Sequence, residues 1–447
     1  MPEMEPAKHR RERKPADRIY RPVRRRVVTW KVSVPGIANP GKAPSPPVVL
    51  LLGFLGLIVL GTILLSLPVA VQPGATSRFM DSLFTATSAV CVTGLIVVDT
   101  ADHWSPFGQA VILFLIQSGG FGFMSSATIF LLALGRRIGL RERILISESL
   151  GISQIGSLTT IIKRMAIFTL LMESGGAILF YLHFTSYMSP GVAAWNAVFQ
   201  SISAFNNAGF DIFGGFRSLT ASSDSPLLLL TTAALVIIGG ISYLVVANIL
   251  QKRSWLRLTV DTKLVISTSA VLLALGTFII LASEFNNPAT LGAMNLPHKL
   301  MNAVFQSVTS RTAGFSSFST AALQDYALFF TMLLMFIGGA SGSTAGGIKV
   351  NTFSVLLSTM MSAIRSREHV HVFSREFTPQ QIHRAVAVIM ISLIIIALVV
   401  FALTLTEDQP FLDLLFESFS AFGTVGFSTG ITPSLTMAGQ IIVTITI

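Results

Sequence analysis

The chain has 447 residues, 52% of them hydrophobic and only 12% charged, with a formal net charge of +10. A soluble domain carries roughly a quarter charged residues, so this composition excludes an ordinary water-soluble enzyme and sets a polytopic membrane protein as the class. With Cys91 as the single cysteine, an intrachain disulfide and a cysteine-based metal site are excluded as well.

Twelve of the 31 Lys and Arg fall before residue 47, in a Pro-rich stretch with runs such as Arg10-Arg11-Glu12-Arg13-Lys14. Residues 1–47 lack an apolar core and a small-residue cleavage site. They read as a disordered basic tail beside anionic lipid headgroups, not as a signal peptide or a nucleic-acid arm. Apolar runs long enough to cross a bilayer follow near 48–67, 107–134, 167–184, 227–250, 264–282, 326–361 and 386–405. Four shorter, half-polar stretches lie between them at 79–92, 195–205, 300–310 and 411–422. These are too short to span and too polar to face lipid, and they read as pore helices that enter partway and return.

The order span, pore helix, loop, span recurs at a period of roughly 110 residues. Repeat 1 takes 48–135, repeat 2 160–252, repeat 3 261–362 and repeat 4 382–447. The expectation is an all-α polytopic membrane protein, with four tandem span–pore helix–filter loop–span repeats around a central pore. The last span, 437–447, reads as incomplete, about half a membrane crossing.

Each pore-helix stretch carries a Phe (Phe84, Phe199, Phe305, Phe416) and ends in a glycine motif. The motifs are Val92-Thr93-Gly94, Asn207-Ala208-Gly209, Thr312-Ala313-Gly314 and Thr424-Val425-Gly426. In the third, the Phe stands one residue closer to its glycine. Dehydrating a cation inside a membrane takes converging backbone carbonyls, and glycine lets the backbone turn them inward without a Cβ penalty. Potassium at those carbonyls is the expected ligand; Thr93, Asn207, Thr312 and Thr424 would add carbonyls or side-chain support. Double glycines in the second spans, Gly119-Gly120, Gly239-Gly240 and Gly338-Gly339, suit close helix packing. With the tail placed in the cytoplasm, only Arg78, Arg217, Lys299 and Arg311 among the basic residues fall outside. The positive-inside rule then turns all four loops outward.

Between Gly338 and Gly347, five of ten residues are glycine, and each interior glycine costs a helix about 1 kcal/mol. The segment must therefore break the span, which is tolerable only beside protein or a watery cavity. Glu173 is a carboxylate inside a span, fit for a packing site or for proton or sodium coupling. Arg311 and Asp211, bordering two of the loops, would pair with each other or be solvated at the mouth. Lys349 would lie in the cavity or snorkel to the cytoplasm. His369 and His371 read as a solvated loop.

The stretches Ser88-Ala89-Val90-Cys91-Val92-Thr93-Gly94-Leu95, Phe205-Asn206-Asn207-Ala208-Gly209-Phe210-Asp211, Thr309-Ser310-Arg311-Thr312-Ala313-Gly314-Phe315 and Phe422-Gly423-Thr424-Val425-Gly426-Phe427-Ser428 resemble the filter loops of the Trk/Ktr/HKT superfamily of potassium transporters. The run Ile337-Gly338-Gly339-Ala340-Ser341-Gly342-Ser343-Thr344-Ala345-Gly346-Gly347-Ile348-Lys349 resembles that superfamily's intramembrane gate. The resemblance covers about 48–447 and implies potassium uptake across a bacterial plasma membrane. It implies a flap beneath the filter formed by Gly338, Gly339, Ser341, Gly342, Ser343, Thr344, Gly346, Gly347 and Lys349. Glycine at position 94, where serine accompanies sodium preference in the plant branch, points to potassium. The resemblance further implies a homodimer, a cytoplasmic nucleotide-binding ring as regulator, with 365–384 as its docking surface, and sodium or a proton as coupling ion. No organic cofactor and no nucleic-acid partner are expected. The competing reading is a coupled carrier of another monovalent cation or a small solute, but such carriers favour inverted repeats and these four enter from one side. An intramembrane enzyme would need a His/Asp/Glu cluster or Ser/His pair within the spans, and none is visible.

Overall fold

The computed structural model describes residues 46–122, 158–367, 369–373 and 375–447. The chain divides into Met1–Pro44 and Ser45–Ile447. The expected basic tail, the basic stretch around 136–143 and the end of repeat 1's second span lie outside the described residues. In repeat 1, α1 (Pro46–Leu65) is followed by α2 (Phe79–Val90), the single turn α3 (Thr100–His103) and α4 (Pro106–Gly120). Repeat 2 holds α5 (Leu158–Phe184), α6 (Pro190–Phe205), α7 (Pro226–Ile241) and α8 (Tyr243–Lys252). Repeat 3 holds α9 (Val260–Glu284), α10 (Leu296–Thr309), α11 (Asp325–Phe336) and α12 (Val350–Ile364). A two-stranded hairpin, β1 (His371–Val372) with β2 (Arg375–Glu376), leads to repeat 4: α13 (Pro379–Thr406), α14 (Phe411–Gly423) and α15 (Met437–Thr446).

The first helix of every repeat contains a segment long and apolar enough to cross a membrane: Val48–Leu65, Thr160–Phe184, Val260–Glu284 and Pro379–Thr406. Much of their apolar surface faces outward, as in Leu51, Leu170, Phe278 and Leu398, all exposed. In water such surface would be a liability, whereas in a bilayer it is the lipid face. The half-helices α2, α6, α10 and α14 are instead packed inside. Two of them begin earlier than the hydrophobic pattern suggests. Pro190 opens α6 directly after Ser189, and the Asn295 side chain accepts from the His298 N–H to cap α10. Proline in a first turn and an Asx cap fix a helix start whatever the hydropathy there.

Two expected spans are not continuous. The run 326–361 is split into α11 and α12 by the glycine-rich segment, as its composition requires. The run 227–250 breaks at Ser242, whose φ is +79°, so that α8 leaves α7 at 89°. No proline or glycine marks that position; the two glycines just before it, Gly239 and Gly240, carry the packing described below.

The core consists of seams. One cluster joins Leu65, Ala86, Val90 and Ile112 of repeat 1 to Phe199, Ala208 and Phe210 of repeat 2. The next joins Phe180, Leu229 and Val236 of repeat 2 to Phe305, Ala313 and Phe315 of repeat 3. A third joins Ile280, Met332 and Met335 of repeat 3 to Phe416, Val425 and Phe427 of repeat 4. The fourth joins Leu403, Leu414, Ala421 and Val443 of repeat 4 to Met80, Phe84 and Leu95 of repeat 1, which closes the circle. Each pore-helix Phe thus plugs into the core of the preceding repeat.

Candidate functional site

The four glycine motifs meet. A Cβ built on Gly94 would lie within 3.0 Å of the Ala208 carbonyl oxygen, one on Gly209 as close to that of Ala313, one on Gly314 to that of Val425, and one on Gly426 to that of Thr93. Each loop therefore touches the next in cyclic order, and the last touches the first. A side chain on any of these glycines would displace a neighbouring carbonyl, and each glycine also has a positive φ: +87°, +71°, +72° and +95°.

The backbone within each motif alternates in hand. Val92, Asn207, Thr312 and Thr424 have φ of +57°, +58°, +73° and +48°, the middle residues fall outside that region, and the glycines return to it. Alternating signs of φ aim successive carbonyls to one side of the chain. Four non-glycine residues at equivalent left-handed positions store strain, of order 1–3 kcal/mol each. Such strain persists only where the surroundings over-determine it. Among the described residues no donor bonds to the carbonyls of Thr93, Ala208, Ala313 or Val425.

The loops hang from their pore helices by backbone bonds. The N–H groups of Thr93, Ala208 and Val425 donate to Ser88, Ser203 and Ser420 carbonyls at 2.8, 2.8 and 2.9 Å. In repeat 3 both Ala313 and Gly314 donate to Thr309, at 3.0 and 3.2 Å. The missing residue between Phe305 and Gly314 is absorbed there as a tighter exit from the helix. The side-chain oxygens of Thr93 (Oγ1), Asn207 (Oδ1) and Thr312 (Oγ1) are buried with no partner among the described residues. Behind the ring, the residues following the pore-helix Phe are Thr85, Gln200, Gln306 and Glu417, all buried. Glu417 accepts from the Thr432 hydroxyl, which ties α14 to the loop above it. The signal for this residue was its place directly after the pore-helix Phe416, the position that Thr85, Gln200 and Gln306 hold in the other repeats.

On one side the ring opens into a cavity of about 500 Å³ lined by the four glycines, Asp99 and Asp211. Asp99 accepts from the backbone N–H of Phe216 at 2.7 Å, and Asp211 from that of Phe213 at 3.1 Å. Burial pushes the Asp211 carboxyl up to about 6, against the hydrogen bonds from Phe213 and Ser218 and with the nearby Asp99 adding to the rise. Asp211 does not pair with Arg311, contrary to one expectation. The Arg311 side chain runs to the opposite side of the ring, where its Nη2 donates to Ser269 Oγ at 3.2 Å and to the Gly338 carbonyl at 3.1 Å.

On that opposite side lies the glycine-rich loop. Its neck is pinched by a bridge between Ile337 and Ile348 and by bonds from Gly338 N to Ile348 O and from Val350 N to Gly339 O, both 3.0 Å. Its tip reaches under the ring. The Thr344 hydroxyl donates to the Phe205 carbonyl at 3.4 Å, and Gly346 lies against the Thr424 side chain and the Gly423 carbonyl with no space for a Cβ. Repeat 2 also holds the loop: Ala340 N donates to Gly240 O at 2.9 Å and Ser242 Oγ to Gly342 O at 3.0 Å. The break in α7–α8 supplies both groups. Ser341 N donates to the Asn351 side chain at 3.1 Å, and Lys349 Nζ donates to the Ala345 carbonyl, so this lysine braces the loop from within. Gly347 takes φ +60° at the return.

Glu173 does not face the ring. Its carboxylate accepts from Asn206 Nδ2 at 3.1 Å and Gln117 Nε2 at 3.4 Å, and Asn206 in turn donates to Gln117 Oε1 at 2.9 Å. Asn206 immediately precedes the second motif, so this acid braces a loop through a packed amide network. Gly119 and Gly239 press against the Val90 and Phe205 carbonyls at the ends of α2 and α6, the close packing expected of the double glycines.

Fold and loop ring together define a polytopic membrane transport protein. The TrkH family model, described as a cation transport protein, matches residues 53–447, and the chain belongs to that family. It is 39% identical over 399 residues to the Ktr system potassium uptake protein B of Bacillus subtilis, covering 89% of each chain. It is 35% identical to the potassium/sodium uptake protein NtpJ of Enterococcus hirae, over 90% of this chain and 89% of that one. The crystal structure of the potassium transporter TrkH from Vibrio parahaemolyticus shares the fold with a TM-score of 0.68 at 19% identity, over 92% of this chain and 83% of that one.

Proposed function

We propose that this chain is the pore-forming subunit of a potassium uptake system in a bacterial plasma membrane, with its glycine ring facing outward and its N-terminus in the cytoplasm. The observation that carries the reading is the cyclic contact of four strained, alternating-hand loops whose Thr93, Ala208, Ala313 and Val425 carbonyls have no donor among the described residues. Such a ring can replace the hydration shell of a monovalent cation, which an isolated helix end cannot. The carbonyls and orphaned oxygens of residues 92–94, 207–209, 312–314 and 424–426 bind the ion as substrate, and the C-terminal ends of four pore helices add negative potential. The loop at 338–347 obstructs the pathway beneath the ring and moves aside for conduction. The relatives named for potassium uptake support the choice of ion, and the relative named for potassium and sodium supports sodium as a second permeant or coupling ion.

Assembly as a homodimer and control by a nucleotide-binding ring belong to the same proposal. The exposed Arg365, Arg367, Arg375 and Arg384 around the β1–β2 hairpin offer the ring a basic docking face. The test is rubidium uptake into proteoliposomes under an inside-negative potential, competed by potassium and by sodium. Saturable rubidium flux suppressed by potassium more than by sodium is expected. Exchange of an organic solute without cation flux would overturn the assignment.

A further inference from the structure

Arg311 is out of place by ordinary rules. It occupies the position just before the third motif, where the other repeats have Cys91, Asn206 and Gly423. No carboxylate lies within ion-pair distance of it among the described residues, and its Nε has no partner. An arginine at membrane depth without a counter-charge is costly and marks a functional position. What it has instead is the Ser269 hydroxyl on α9 and the carbonyl of Gly338, both on one Nη2. Gly338 is the neck of the glycine-rich loop, the point where α11 gives way to it.

We propose that Arg311 is a positioning residue that pins the neck of this loop to the third filter loop and so holds the pathway shut; this rests on the reading of 338–347 as a gate. Three features support the pin. A charge-assisted hydrogen bond is among the stronger single bonds available to the neck, whose other outside tie is the neutral backbone bond from Ala340 N to Gly240 O. The neck is pinched, so a restraint at Gly338 restrains the loop as a unit. A cavity of about 180 Å³ lies beside the pin, lined by Arg311, Gly339, Ser269, Ile237, Val308 and Leu273. It offers the first turn of the loop somewhere to go once the bond breaks. Because Arg311 also precedes Thr312, a filter residue, movement of the neck and geometry of the third motif are mechanically joined.

The experiment compares rubidium flux in wild type, R311Q, R311K, S269A, a deletion of residues 342–345, and R311Q combined with that deletion, each normalised to protein recovered as a single species in detergent. R311Q is expected to raise basal flux about tenfold, the population shift that follows loss of one charge-assisted bond from the closed state. R311K is expected to restore most of the closure, S269A to give a smaller rise, and R311Q to add nothing once the loop is deleted. Should R311Q not fold, S269A and the lysine variant carry the test, since both change the anchoring of the same nitrogen. If the deletion raises flux and none of the point variants does, the pin is wrong and the gate stands. If the deletion fails to raise flux, the gate reading itself fails. An R311Q effect that multiplies with the deletion, or that changes the potassium-to-sodium ratio, would place Arg311 in the filter and overturn the pin.

Discussion

A hydroxymethyl group on Gly94 has nowhere to go. The Ala208 carbonyl and the Gly209 Cα both lie within or at 3.0 Å of where its first carbon would sit, and φ is +87°. Gly94→Ser is therefore expected to push the second loop outward and to cut the preference for rubidium over sodium about tenfold or more, read from competition curves on folded protein. Asp211 allows a prediction of pH dependence. With its carboxyl pushed up to about 6, it is ionised at pH 7.5 and draws cations to the mouth, and it is neutral at pH 5. Uptake should fall as external pH drops through 6, and Asp211→Asn should flatten that step at a uniformly lower rate. The sign for stability is opposite: a raised carboxyl favours the folded state when protonated, so this group's penalty is present at neutral pH and relieved on acidification. A profile unchanged by the Asn variant would remove Asp211 from the mouth's field. The glycines of the ring were legible because their offset from a Phe recurs. The direction of Arg311 was not, because a sequence shows which residue borders the filter and not the side on which its long side chain finds an acceptor.

The glycine-rich loop and the broken helix beside it act together at the scale of elements. Composition alone demanded that 338–347 leave the helix, and it does so between α11 and α12. The partner break at Ser242 had no such signature, since a serine at φ +79° is imposed by tertiary contacts, here the bonds that Gly240 and Ser242 make to the loop. Pore-helix starts were hidden for a related reason: Pro190 and the Asn295 cap decide them by chemistry at one end, while hydropathy averages over a window. Deleting residues 342–345 removes the tip that reaches the Phe205 carbonyl and shortens the path to Thr424. Rubidium flux into proteoliposomes should rise at least about tenfold with selectivity kept, because the ring itself is hung from the pore helices and not from the loop. A folded deletion protein with unchanged or lower flux would make the loop a static kink.

Closure of four repeats into one ring is a property of the whole molecule, and the pore-helix phenylalanines report on it. Phe84, Phe199, Phe305 and Phe416 are 0%, 0%, 1% and 0% exposed, and each sits in the core of the repeat before its own. Their recurrence was plain in the sequence, but their use as plugs between repeats was not, because periodicity identifies equivalent positions without saying which neighbour they touch. Between helices in lipid the transfer free energy of water is missing, so the cost of emptying such a socket is mainly lost packing. Phe→Ala empties roughly 100 Å³, which at about 24 cal/mol per Å³ comes to about 2.4 kcal/mol. If the ring is closed, Phe84→Ala at the seam of repeats 4 and 1 should lower thermal stability in detergent as much as Phe199→Ala or Phe305→Ala does at the inner seams. An open chain of repeats predicts something different: Phe84 would be an end residue, and its loss would cost far less than that of the other three. Rubidium selectivity should follow the same ranking, since the Gly426 contact with the Thr93 carbonyl depends on that seam.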